Sequence, residues 1–356
     1  MKYAWLRGLG LVGGTLALLS GSARAENDCV FSKYGSTLYL RADCETDETL
    51  IVPNGFALDG SGHRVVARDP AGGSFEGAIV RNAGSIAHVR NLTIEAAGLL
   101  PVCHPNAPVD TRLRGILLQD ASGTIVDNQI LAVNQGDSGC QEGAAIEVRT
   151  TPDTTVERAV TVRGNRIQGF QKTGVLVLGS VAVEVSLNRV VGRGPVAFIA
   201  QNGIQVSDGA RGSVRWNQVS DLAYVGEGAA SSGILILRSP GPLDLAFNHV
   251  QQADVGIWLS TASRVTVEGN TITSSTYDGI ALEGQSGATQ HNRVQTNLVT
   301  DSGGVGIDLY GAGTTKNFVG GNQVCESGDA ATQEILGAAE NLVLANLCGA
   351  QEVYRE

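Results

Sequence analysis

The sequence predicts an all-β fold, a single-stranded parallel β-helix (solenoid) of about ten coils with an N-terminal cap. Three observations predict it. A phrase of Gly followed by Ile or Val and an apolar alternation begins at Gly77, Gly115, Gly174, Gly203, Gly233, Gly256, Gly279 and Gly306, with Ala145 filling the place between Gly115 and Gly174. A short β-branched strand ending in Asn recurs at Asn91, Asn128, Asn165, Asn188, Asn217, Asn248, Asn270, Asn297, Asn322 and Asn346. Between these marks lie strands of four to six residues and no stretch of helical apolar spacing, which excludes helical solenoids and Rossmann-type alternation.

Both phrases run on one clock. Successive Asn separations are 37, 37, 23, 29, 31, 22, 27, 25 and 24, so the shortest coil takes 22 residues and longer coils carry insertions. Strands recurring at such a period without hairpin turns pair in parallel with the next coil, about 4.8 Å away, giving a rod on the order of 50 Å long. Ile and Val stack inside in files. An Asn at each tight corner tolerates left-handed backbone angles, and its amide hydrogen-bonds the equivalent Asn one coil away. The Gly file serves close backbone approach.

The ends follow from composition. Lys2 and Arg7 precede an apolar run from Leu9 to Leu19, and Ala23-Arg24-Ala25 supplies a small-x-small cleavage pattern, so residues 1–25 read as a signal peptide cleaved after Ala25. A cap and first coil follow over 26–60, the β-helix over 61–350 and a tail over 351–356. Without residues 1–25, 22 basic residues face 35 acidic ones, a formal charge of −13, which argues against nucleic acid. No later apolar run reaches the roughly eighteen residues of a membrane span. Secretion or periplasmic export makes the six cysteines a disulfide framework, with Cys29 to Cys44, Cys103 to Cys140 and Cys325 to Cys348 as the pairs their positions favour among fifteen connectivities. A zinc site is the rival, but no Cys/His cluster has ligand spacing.

With this repeat the chain resembles the right-handed parallel β-helix repeat proteins of the pectate-lyase-like superfamily. ADCETDETLIVPNGFALDGSGHRVV from Ala42 to Val66, GCQEG at 139–143 and QNGIQV at 201–206 carry the resemblance. It implies a right-handed β-helix and a polysaccharide partner, with lyases, uronate epimerases and hydrolases among the superfamily's activities. No family catalytic residue carries over. The Asn-Thr-Asp, Asp-Asp, Gly-His-Gly and Arg-x-Lys motifs of polygalacturonases have no counterpart. The Asp-Pro-His pattern of alginate epimerases is also missing, since Asp69-Pro70 is followed by Ala71.

If the residue after each Gly points inward, the next points out. The exposed file is then Leu117 and Gln119, Glu147 and Arg149, Leu176 and Leu178, Gln205 and Ser207, Leu235 and Leu237, Trp258 and Ser260, Ala281 and Glu283, Asp308 and Tyr310. Its first feature is a charged patch at Glu147 and Arg149, with Lys172, Glu142 and Asp137 in adjoining turns. Lys172 or Arg149 would serve as base or charge stabiliser, while Glu142 and Glu147 would hold calcium or substrate. A plain Arg–Glu surface pair is the structural alternative. The second feature is a run of leucines, which calls for cover by the loops 99–113, 134–143 and 221–231, for a dimer interface, or for an apolar ligand.

A second cluster of Trp258, Tyr277, Asp278, Asp308 and Tyr310, with Gln205 nearer the middle, suits stacking against sugar rings and hydrogen bonding to their hydroxyls. Its aromatics are also ordinary strand formers. Among the histidines, His63, His88, His249 and His291 fall at turns or strand ends, and His104 lies in an insertion. The reading is a secreted β-helix protein that binds an acidic polysaccharide and modifies it, by β-elimination or epimerisation if it is an enzyme. A non-catalytic surface or periplasmic carbohydrate-binding or structural protein competes with it, and an apolar-ligand protein is a third class.

Overall fold

The computed structural model describes residues 27–102, 111–334, 340–346 and 348. The expected signal peptide and tail, Cys103 and His104 lie outside them. Each coil visits three sheets in turn. The first holds eleven strands, from Leu50–Val52 to Thr332–Glu334, and includes every strand of the Gly phrase. The second holds thirteen and the third eleven. Coil-to-coil pairing is parallel throughout, as in the register Ile116 to Ile146 to Val175 to Ile204. The exception is the hairpin Phe31–Tyr34 with Thr37–Leu40, which opens the second sheet at its N-terminal end.

The core is the lumen of the solenoid. Ile116, Ile146, Val175, Ile204, Ile234, Ile257, Ile280 and Ile307 form one file in the first sheet, and all are buried. Each such side chain contributes roughly 1.5–3 kcal/mol of burial free energy. Next to this file run the repeat glycines. A Cβ on Gly203 would lie 2.6 Å from the Gly233 carbonyl oxygen, and one on Gly256 2.5 Å from that of Gly279. Adjacent coils are therefore held at a distance that a side chain would prise open. Gly77 departs from the expected file: Arg114 pairs Ala78 and Ile116 pairs Val80, so Ile79 takes the place of Gly115.

The Asn file is a continuous hydrogen-bonded ladder at the corner between the second and third sheets. From Asn128 to Asn346, each Nδ2 donates to the Oδ1 of the next coil's Asn at 2.8–2.9 Å. The same Oδ1 also accepts the backbone N–H of the Asn before it, as from Asn188 to Asn217 at 3.0 Å. Two expectations are corrected here. Asn91 is not a rung, because Leu92 occupies that register and donates its N–H to Asn128. Nor do the rung residues take left-handed angles. From Asn128 to Asn322 the residue before each does, as at Asp127, Gly164, Leu187, Trp216 and Phe247. That leaves the Asn free to point inward. A second, shorter ladder of Asn292, Asn317 and Asn341 stands at the corner between the first and second sheets.

Cys29 is bonded to Cys44 and Cys325 to Cys348, with Cα atoms 5.0 and 5.1 Å apart, so both expected pairs at the ends of the rod are present. Cys140 is also disulfide-bonded. No helix among the described residues is long and apolar enough to cross a membrane.

Asn217→Ala removes the acceptor of two Asn188 donors and the donor to the Val185 carbonyl. It is expected to destabilise the rod by about 2–4 kcal/mol, read from denaturant melts. Asn346→Ala, at the half-exposed last rung, is expected to cost much less, because water replaces the lost partners.

Candidate functional site

The outward face of the first sheet carries the candidates, and its register follows the alternation after each Gly. The side chain before the Gly breaks it. Arg114 lies on the same side as Glu147, because Gly115 as well as Ile116 faces the lumen, where a Cβ on Gly115 would meet Ile130 at 3.0 Å, and its Nε donates to Glu147 Oε2 at 2.6 Å. Arg149 Nη1 reaches the other carboxylate oxygen at 3.1 Å, while its Nε and Nη2 donate to Gln119 Oε1. Glu147 is 1% exposed. Both of its oxygens are therefore spent on guanidinium groups, which does not fit the expected role of calcium ligand. Burial pulls the Arg114 pKa down, with Glu147 opposing it. Arg114, Glu147 and Arg149 form a buried ion network, and breaking such a network leaves an uncompensated charge.

Lys172 stands apart from it. Its ammonium donates to the Ala200 carbonyl at 2.6 Å, and burial pushes its pKa down to about 8. Asp137 pairs with Arg193 at 2.7 Å, and Glu142 is buried beside Cys140. The insertions stack along the edge where the first sheet begins. Gln171 donates to Ser138 and Cys140, Val196 bridges to Tyr224, and Asp254 accepts the N–H groups of Tyr224 and Ser231. They build a wall beside the leucine run. Leu117 and Leu235 are buried, while Leu176, Leu178 and Leu237 are half-buried. In the middle, Gln205 is held by Asn202.

Toward the C-terminal end the face opens differently. Trp258, Ala281 and Asp308 are successive in register on three strands, so Trp258 and Asp308 are two inter-strand steps apart, about 10 Å, with only a methyl group between them. Asp278 and Glu283 flank Ala281 on its own coil, and Tyr310 follows Asp308. Glu283 is fully engaged, accepting from Ser260 and from the N–H groups of Gln285 and Ser286. Asp278 accepts the Val305 N–H.

Asp308 is 6% exposed, and its Oδ1 is buried without a hydrogen-bond partner. Burial first, and Asp278 second, push its pKa up to about 7. Burial also raises Asp278, and burial together with the neighbouring carboxylates raises Tyr310. The buried Trp258 Nε1–H lies near the Tyr310 hydroxyl without reaching it at hydrogen-bonding geometry. Tyr277 is exposed on the turn before Asp278 and is not in the file.

The structure does not join the two sequence-derived clusters. From Glu147 to Asp308 there are six inter-strand steps, roughly 29 Å. Trp258, Asp278, Asp308 and Tyr310 do converge. What the alternation missed is Arg114, whose place before the Gly gave no sign that it faces outward. Chemically, the gap over Ala281 offers an aromatic face, a carboxyl that exchanges its proton near neutrality and a second carboxyl coupled to it, the ingredients of general acid–base chemistry.

Among solved structures, a variant of the periplasmic alginate epimerase AlgG is similar to this chain with a TM-score of 0.55 at 13% identity, covering 88% of this chain and 80% of that one. The Azotobacter vinelandii mannuronan C-5 epimerase AlgE4 A-module gives 0.53 at 14% identity, over 87% of this chain and 91% of that one. At these identities the likeness is one of fold. No curated protein matches the sequence. A family model described as a right-handed β-helix region matches residues 145–324.

Because the Asp308 pKa is raised in the folded chain, the native state keeps a proton that the unfolded state releases. The folded protein therefore loses stability as pH rises from about 4 to about 7. Asp308→Asn removes this penalty. Its melting temperature is expected to exceed that of the parent chain at pH 8, with the gap closing toward pH 4.

Proposed function

The chain belongs to the right-handed β-helix family, and from that premise we propose that it binds a polysaccharide along the outward face of the first sheet and acts on it by proton transfer over Ala281. The observation that carries this reading is Asp308, a buried carboxyl with an unpartnered oxygen and a pKa of about 7, set across a one-methyl gap from an indole ring. Burying an acid this way costs stability, and such costs concentrate at sites of chemistry. A sugar ring stacks on Trp258, the Asp308 proton goes to an oxygen of the bound sugar, and Asp278 serves as the partner carboxylate. The disulfides fit a secreted or periplasmic location.

A second reading rests on Lys172. An amine with a pKa of about 8 is a competent base near neutrality, suited to removing the proton beside a uronate carboxylate in β-elimination or epimerisation, with Arg149 as charge stabiliser. An extended acidic polymer would lie across both regions of the face.

The test is turnover of acidic and neutral polysaccharides, followed by new reducing ends, by absorbance of unsaturated products and by exchange of carbon-bound hydrogen with solvent. Asp308→Asn is expected to lower turnover by roughly 10²–10⁴ with polymer binding retained, and activity of the parent chain to fall as pH rises through about 7. Loss in Lys172→Ala with full activity in Asp308→Asn selects the second reading. Binding without turnover in the parent chain selects a non-catalytic carbohydrate-binding role.

A further inference from the structure

The corner that carries the Asn ladder holds an anomaly on its outside. From Asn128 to Asn322 the residue before each rung is left-handed; Asp127, Gly164, Gly269 and Gly321 are residue types that accept this readily, and Thr296 takes it at φ 54°. Three successive coils instead place Leu187, Trp216 and Phe247 there, each at φ 56°. Bulky side chains are outliers in this region of backbone space, and these three are also about half exposed, at 50%, 51% and 53%. A strained backbone and exposed apolar surface coincide at the same three residues. The Trp216 and Phe247 rings stack with centroids 6.1 Å apart and planes within 10°. The next coil is bare where the Phe247 ring leans over it, since a Cβ on Gly269 would lie 2.6 Å from that ring.

Two residues further along each of these coils, the third sheet presents Arg189, Gln218 and His249 in register, with Ser220 and Gln251 beside them. These side chains line a cavity of about 310 Å³. His249 meets Gln251 at 3.2 Å, whereas among the described residues no hydrogen bond or ion pair engages the side chains of Arg189 or Gln218. The lining itself contains a guanidinium and no carboxylate, on a chain of net charge −10, and the nearest bonded acid is Asp221, which accepts the Ser220 hydroxyl at 2.8 Å.

We propose that this corner is a second, non-catalytic binding site for a short stretch of acidic polysaccharide. It rests on the reading above for the class of polymer but uses none of the same residues. The Trp216 and Phe247 rings take the apolar face of a sugar, Arg189 takes its carboxylate in bidentate fashion, Gln218 and Gln251 take hydroxyls, and Ser220, whose own proton goes to Asp221, accepts from one. The occupant is an acidic glycan and not a second copy of this acidic chain, because the cationic lining selects for concentrated negative charge and the polar pocket lies directly beside the aromatic step.

The experiment is calorimetric titration with hexamers of galacturonate and mannuronate, with cellohexaose as the neutral probe. Trp216→Gly repeats what Gly164 and Gly269 do in other coils, so the backbone is retained, and an unchanged melting temperature checks this. It is expected to weaken binding of an acidic hexamer at least tenfold. Arg189→Gln is expected to reduce acidic affinity to the neutral level, while Trp258→Ala and Asp308→Asn leave this binding event in place. Loss in those two variants with none in Trp216→Gly and Arg189→Gln would overturn the second site while supporting the first. Absence of binding by all three probes would overturn the acidic-glycan assignment. So would a dimer in sedimentation that Trp216→Gly dissolves without changing glycan affinity.

Discussion

Stacking of one coil on the next at a fixed spacing is the constraint on which the rest of this structure depends. It is enforced from two directions. Glycines such as Gly203 and Gly256 let the backbones approach, and the Asn ladder supplies each corner with the donors and acceptor that a buried turn lacks. Because each rung amide accepts the backbone N–H and the Nδ2 of the Asn one coil before and donates to a carbonyl of that coil, the polar groups of the corner are paired within the protein. A coil then tolerates insertions of very different length between its strands.

The same regularity decides what the surface can do. An outward residue has fixed neighbours one step away on either side, so a small side chain between two large ones makes a gap, as Ala281 does between Trp258 and Asp308. The network of Arg114, Glu147 and Arg149 shows the opposite outcome, in which neighbouring coils complete one another's charges and close the surface. Both are buried polar clusters. One is satisfied and the other is not, and the unsatisfied one retains capacity for a ligand.

The corner ladder also presents a face to solvent. From Asn128 to Asn322 a left-handed residue precedes each rung; Gly or Asp fills that position in four coils and Thr296 in one, while Leu187, Trp216 and Phe247 fill it in three successive coils. Their neighbours two residues on are polar and open to solvent, so the outside of a structural corner becomes an amphipathic step.

By itself the sequence determined the period, the inward Ile and Val files, two terminal disulfides and the convergence of Trp258, Asp278, Asp308 and Tyr310, because these depend on local alternation repeated at a readable interval. It did not reveal that Leu92 replaces Asn91 as the ladder's neighbour, that Arg114 turns outward, or that Glu147 is enclosed by two guanidiniums. Each depends on register across coils of unequal length, and alternation fails where a glycine and the residue after it both face the lumen, as Gly115 and Ile116 do. Burial was likewise beyond reach, since the Ala200 carbonyl that meets buried Lys172 and the Asp278 charge that acts on buried Asp308 each lie more than twenty positions away in the chain. Tertiary structure alone decided which of the outward charges were neutralised by neighbours and which were left with an unfilled valence for hydrogen bonding.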